Sequence, residues 1–247
     1  MIDFNREFNT LDDLLNRREF KSAEDFLSAL FERAESENNP GGRLAVINEQ
    51  IGLFRKLGDE RAIERAEYAL RFIEESGIEN GINVATTLLN AGTAYCAFDL
   101  PEKAVPCYEK AEEIYNFFLR PNDRRFGALY NNLASAFMAA GDYSKAEEYF
   151  SKALSIMQNV PGGELDCAIT CCNLADLAAK AKGGLEAEEE IASLLEKAME
   201  NFNNPSVRRD GYYAFACEKC APAFGHFGFF IYEKQLKRRA EEIYERS

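Results

Sequence analysis

Alanine returns at positions 62, 104 and 146, and again at 69, 111 and 153, each series stepping by 42 residues. Between them stand Ala66, Tyr108 and Phe150, so each segment repeats the i, i+4, i+7 spacing that places side chains on one helical face. A fixed period of this length means that one supersecondary unit is stacked several times, because a single unit cannot bury its apolar face alone. Alanine at the seam lets neighbouring helices approach closely. Upstream of each series lies a second apolar stripe, Leu88, Ala91, Gly92 and Tyr95 in one unit and Leu129, Leu133, Ala136 and Phe137 in the next. In the clearest unit the two stripes are joined by Gly141-Asp142, where glycine can adopt the left-handed conformation that ends one helix before the next begins. Alternating strand patterns are absent, so the expected fold is all-α.

A polar residue keeps step with the alanines. Asn48, Asn90, Asn132 and Asn173 follow one another at spacings of 42, 42 and 41 residues, each on the first helix of its pair. Asparagine is an indifferent residue in mid-helix, so four in phase need a reason. Two are available. The carboxamides can brace adjacent helices, or they can line a face and bind something.

The segment 129–157 carries Tyr130, Leu133, Ala134, Phe137, Gly141, Ala146, Phe150 and Ala153 at spacings that resemble the tetratricopeptide repeat family. A second segment, 88–115, supplies Leu88, Gly92, Tyr95, Ala104, Tyr108 and Ala111, and departs from the pattern at Pro106, which is expected to kink the first turn of its helix. The 42-residue step exceeds the usual 34 of this repeat and resembles the kinesin light chain type of array. The resemblance implies a right-handed superhelical solenoid of antiparallel helix pairs, with about five to six repeats including atypical ends.

On that reading residues 1–247 form one array. Residues 1–40 are an atypical half-repeat or cap, in which 18–34 is a second helix. Residues 44–200 hold four repeats, the last with about four extra residues in its turn, because Ala198 best continues the alanine series. Residues 206–247 are a capping repeat, marked by Ala240, 42 residues after Ala198. The Pro-, Gly- and Asn-bearing stretches 35–42, 118–125, 159–163 and 201–206 are expected as loops between units.

The formal net charge of −13 opposes general nucleic-acid binding, which needs a basic surface for phosphate contacts. Arg124-Arg125 and Arg208-Arg209 stand two periods apart and are either solvated loop charge or a basic rim that helps hold an acidic partner. No apolar run is long enough for a membrane span, and the first residues lack a signal-peptide pattern. Seven scattered cysteines fit a reducing compartment better than a disulfide framework, so a cytoplasmic location is expected.

Chemistry has few candidates. With His226 as the one histidine, a multi-histidine metal site is excluded. Cys217, Cys220 and His226 are either thiolate and imidazole ligands, a nucleophile with its base, or buried packing residues. The aromatic run Phe224, Phe227, Phe229, Phe230 and Tyr232 seals the end of the array, forms a hydrophobic pocket or supports weak self-association. No cofactor and no catalytic residue is indicated.

The resemblance implies that first helices line the inside of the superhelix and that asparagine at this position bonds the backbone of an extended peptide. A carboxamide offers both donor and acceptor, so it pairs with any peptide backbone. Asn48, Asn90, Asn132 and Asn173 are the candidate contacts, with Leu89, Thr93, Asn131, Ser135, Cys172 and Asp176 bordering them at helical spacing. Lys219, 46 residues after Asn173, is the corresponding position of the last unit. The leading expectation is a non-catalytic scaffold for a peptide or protein segment. A peptide or small-ligand sensor, and a metal or thiol site at Cys217, Cys220 and His226, stand as alternatives.

Overall fold

The computed structural model describes residues 2–78 and 81–246. Among these, twelve α-helices account for the regular structure: α1 (Phe4–Asn16), α2 (Phe20–Ser36), α3 (Pro40–Lys56), α4 (Arg61–Ser76), α5 (Ile82–Ala97), α6 (Pro101–Phe118), α7 (Arg124–Ala139), α8 (Tyr143–Met157), α9 (Glu164–Lys182), α10 (Glu188–Asn203), α11 (Gly211–His226) and α12 (Phe230–Tyr244). The all-α repeat fold expected from the 42-residue period is the fold observed. The helices gather into two compact units, one ending at Leu119 and the other beginning at Arg120.

In the first unit α1 pairs with α2, α3 with α4 and α5 with α6; α2 also packs on α3 and α4 on α5, and α3 lies beside α5. In the second, α7 pairs with α8, α9 with α10 and α11 with α12, while α8 packs on α9 and the first helices α7, α9 and α11 lie side by side. Each unit therefore has one layer made of first helices.

The alanine series is the buried stripe of the second helices α4, α6, α8, α10 and α12. Ala62, Ala66, Ala69, Ala104, Ala111, Ala146, Ala153 and Ala198 have no exposure at all, and Ala240 is 1% exposed. Their missing bulk is supplied by large partners such as Tyr108 and Phe150, also buried. Gly92 shows how close the approach is: a Cβ placed there would lie 2.6 Å from the Tyr108 ring.

Turn chemistry follows the same register. Gly58 and Gly141 take φ of +66° and +82°, and Asp142 then caps α8 by accepting from the Lys145 amide at 3.2 Å. The equivalent corner before α6 is held by Asp99 at φ +56°, a side chain short enough to tolerate the left-handed region.

α6 runs through Pro106 without a break. The proline is exposed, so the carbonyl left without a donor can face water. Pro222 sits within α11 in the same exposed manner. Residues 35–42 are not all loop, because Pro40 opens α3 and Asn39 caps it by accepting from the Gly42 amide at 2.8 Å. Likewise α10 extends to Asn203, into the stretch expected to be loop. The extra residues of the fourth repeat lie in 183–187, between α9 and α10.

Candidate binding face on the first helices

Equivalent positions on neighbouring first helices bond to one another across the second unit. Arg124 on α7 reaches Asp166 on α9 at 3.2 Å, 42 residues away. The other oxygen of Asp166 accepts from the Tyr212 hydroxyl on α11 at 2.5 Å, so one carboxylate ties the first turns of three helices together. Asn173 donates from Nδ2 to Asn131 Oδ1 at 3.0 Å, again across 42 residues.

The four asparagines do not share one environment. All are half-buried. Asn48 donates to Thr87 Oγ1 on α5 at 3.0 Å, while its own Oδ1 is buried and unpartnered. Asn173 is bonded to Asn131 as described, so its true counterpart on α7 is one residue before Asn132. The side chains of Asn90 and Asn132 make no hydrogen bond with another described residue. Two carboxamides therefore brace neighbouring first helices with their amino groups, and two remain unengaged.

The bordering residues divide in the same way. Thr93 bonds its own helix through the Leu89 carbonyl at 2.7 Å and accepts from the Tyr108 hydroxyl at 3.3 Å. Ser135 bonds back to the Asn131 carbonyl at 2.8 Å. Leu89 is half-buried beside them. On α9 and α11 the remaining candidates do converge. Cys172, Asn173 and Asp176 face Lys219, Cys220 and His226 across a cleft of about 270 Å³. Asp176 is paired with Lys180 at 3.2 Å, and the Lys219 ammonium lies 5.9 Å from the Phe215 ring centre. The 46-residue offset from Asn173 to Lys219 is the same offset that separates Asp166 from Tyr212.

Cys217, Cys220 and His226 do not form a ligand set. Among the described residues no group of three or more His, Cys, Asp or Glu is arranged to hold a metal ion. Cys217 is wholly buried, and burial pushes its thiol up to about 12. Cys220 instead meets Cys172, whose thiol is pushed well up by that hydrogen bond and by burial. Cys172 and Cys217 are therefore protonated packing groups at neutral pH.

The basic rim is largely occupied by its own acids. Besides the Arg124–Asp166 contact, Arg125 pairs with Asp123 at 2.7 Å, and Arg208 lies 3.7 Å from Asp210. Arg209 differs, with its guanidinium 5.8 Å from the Tyr213 ring centre. The Asp166–Tyr212 tie escaped sequence reasoning, although the 42-residue step from Arg124 to Asp166 was there to find.

Helix pairs stacked by small residues, with a bonded layer of first helices, define an all-α repeat fold of the tetratricopeptide-like kind. Residues 125–204 match the family model for the tetratricopeptide repeat, so that stretch carries repeats of this kind. The solved structures it resembles include the nearly identical TPR-like repeats of a kinesin light chain from Podosopora anserina, at 18% identity, covering 83% of this chain and 95% of that one with a TM-score of 0.57. A variant form of the same protein aligns at 19% identity over 84% and 98% with a TM-score of 0.58. BtubC (BKLC) from P. vanneervenii aligns at 20% identity over 92% and 90% with a TM-score of 0.59. At these identities the likeness is one of fold. A search of curated protein sequences finds no significant match. Among the described residues no helix is long and apolar enough to cross a membrane.

Proposed function

We propose that this protein is a non-catalytic protein–protein interaction scaffold, and that its second unit holds an extended peptide or protein segment against the first-helix layer of α7, α9 and α11. The observation that carries this reading is the α9–α11 cleft, where Asn173, Asp176 and Lys219 line about 270 Å³ of open space. A peptide backbone offers donors and acceptors to Asn132 and to the remaining oxygen of Asn173, and the carboxylate and ammonium at the cleft select among side chains. The apolar floor supplied by Cys172 and Ile169 favours a small hydrophobic residue between them. On the first unit, Asn90 on α5 offers a free carboxamide of the same kind, whereas Asn48 is taken up by Thr87. Exposed Phe230 and Ile231 support weak self-association through the last helix pair. Seven free thiols, most of them buried, are compatible with a cytoplasmic setting.

The test is partner capture from the source cell by the immobilised wild type and by the double variant Asn132→Ala/Asn173→Ala. Loss of the captured protein, with helical signal unchanged, is expected. Equal capture by both forms overturns the groove reading.

A further inference from the structure

Three arginines without an acidic partner among the described residues meet at the end of the second unit. Arg209, before α11, and Arg239 and Arg246, on and after α12, line a cleft of about 390 Å³ together with Asp210, Tyr213 and Glu242. Arg239 is held in place by neutral acceptors: its guanidinium donates to the Tyr213 hydroxyl at 3.1 Å and to Asn203 Oδ1 at 2.8 Å. Its orientation is fixed while its charge stays uncompensated. Arg209 stands over the same tyrosine, 5.8 Å from the ring centre.

The two carboxylates at this cleft are already committed elsewhere. Asp210 caps α11, accepting from the Tyr212 and Tyr213 amides at 3.1 and 3.3 Å, and its second oxygen lies 3.7 Å from Arg208. Glu242 pairs with Arg238 at 2.8 Å. Each acid thus has an arginine partner outside the cleft, and three guanidinium groups line one cavity in a chain whose net charge is −13. A single carboxylate would balance one of them. A dianion with several oxygens in a compact shell matches the set, since each guanidinium presents paired donors suited to phosphate.

We propose that the Arg209–Arg239–Arg246 cleft is a binding site for a phosphate group, either the free ion or a phosphorylated side chain on a partner. Arg239 is the preorganised contact, and Arg209 and Arg246 close on the anion from either side. The site lies apart from the α9–α11 cleft and does not depend on it.

The test is calorimetric titration of the full chain, at low ionic strength, with inorganic phosphate and separately with a short phosphoserine peptide and its unmodified serine form. Saturable phosphate binding is expected, weakened about tenfold or more in Arg209→Gln/Arg246→Gln, two exposed positions whose change should leave the melting temperature in place. Asn132→Ala/Asn173→Ala should bind phosphate as the wild type does. Phosphopeptide binding tighter than the free ion assigns the site to a modified partner; equal binding assigns it to the ion. Absence of saturable binding by either phosphate form, or unchanged affinity in the arginine double variant, overturns the proposal.

Discussion

Asn173 on α9 donates its side-chain amide to the Asn131 oxygen on α7, 3.0 Å apart in space and one full repeat apart in sequence. The bond sets the register of the second unit. It also separates two roles that spacing alone had merged, since Asn131 and Asn173 hold the layer together while Asn132, one residue on, stays available.

A double-mutant cycle on Asn131 and Asn173 should return a coupling of about 1 kcal/mol, the ordinary net value of a hydrogen bond between neutral groups. Urea unfolding of the two alanine variants and their combination measures it. Strict additivity would mean that the bond contributes nothing to the layer.

Gly92→Ala and Gly127→Ala test the closeness of the helix pairs. At Gly92 the new methyl meets the Tyr108 ring at 2.6 Å, and that ring is buried and tied to Thr93. At Gly127 it meets the end of Met157 at 2.5 Å, a side chain with rotatable bonds to spare. The first change should cost about 1–3 kcal/mol and the second clearly less. Comparable unfolding midpoints for the two variants would contradict the packing described.

Stability should fall on the alkaline side. Burial pushes Cys107 and Cys171 up to about 11 and Cys167 up to about 12, whereas a thiol in an unfolded chain titrates near ~8.5. Above that unfolded value the denatured chain releases protons that the native chain retains, so the native state loses ground as pH rises. The buried thiols' contribution is fully present at pH 7 and declines toward pH 11. A urea midpoint at pH 10 equal to that at pH 7 would exclude this.

Most of the fold was legible because its cause is periodic. Alanines stepping by 42 residues fix where helix pairs touch, and Gly58 and Gly141 mark their turns. Pro40 misled because its role depends on Asn39: a proline just inside a capped start opens a helix instead of closing one. The site was less legible. Spacing placed Asn173 with Asn132, but a one-residue shift between adjacent helices pairs it with Asn131. Arg239 and Arg246 carried no sequence signal, since their meaning comes from acids that fold elsewhere.

Amide hydrogen exchange of the chain with and without its captured partner tests the central claim most directly. The account predicts slowed exchange in α9 and α11, around residues 169–180 and 215–227, with α8 and α10 unchanged. Protection confined to the second helices α8, α10 and α12 would contradict it.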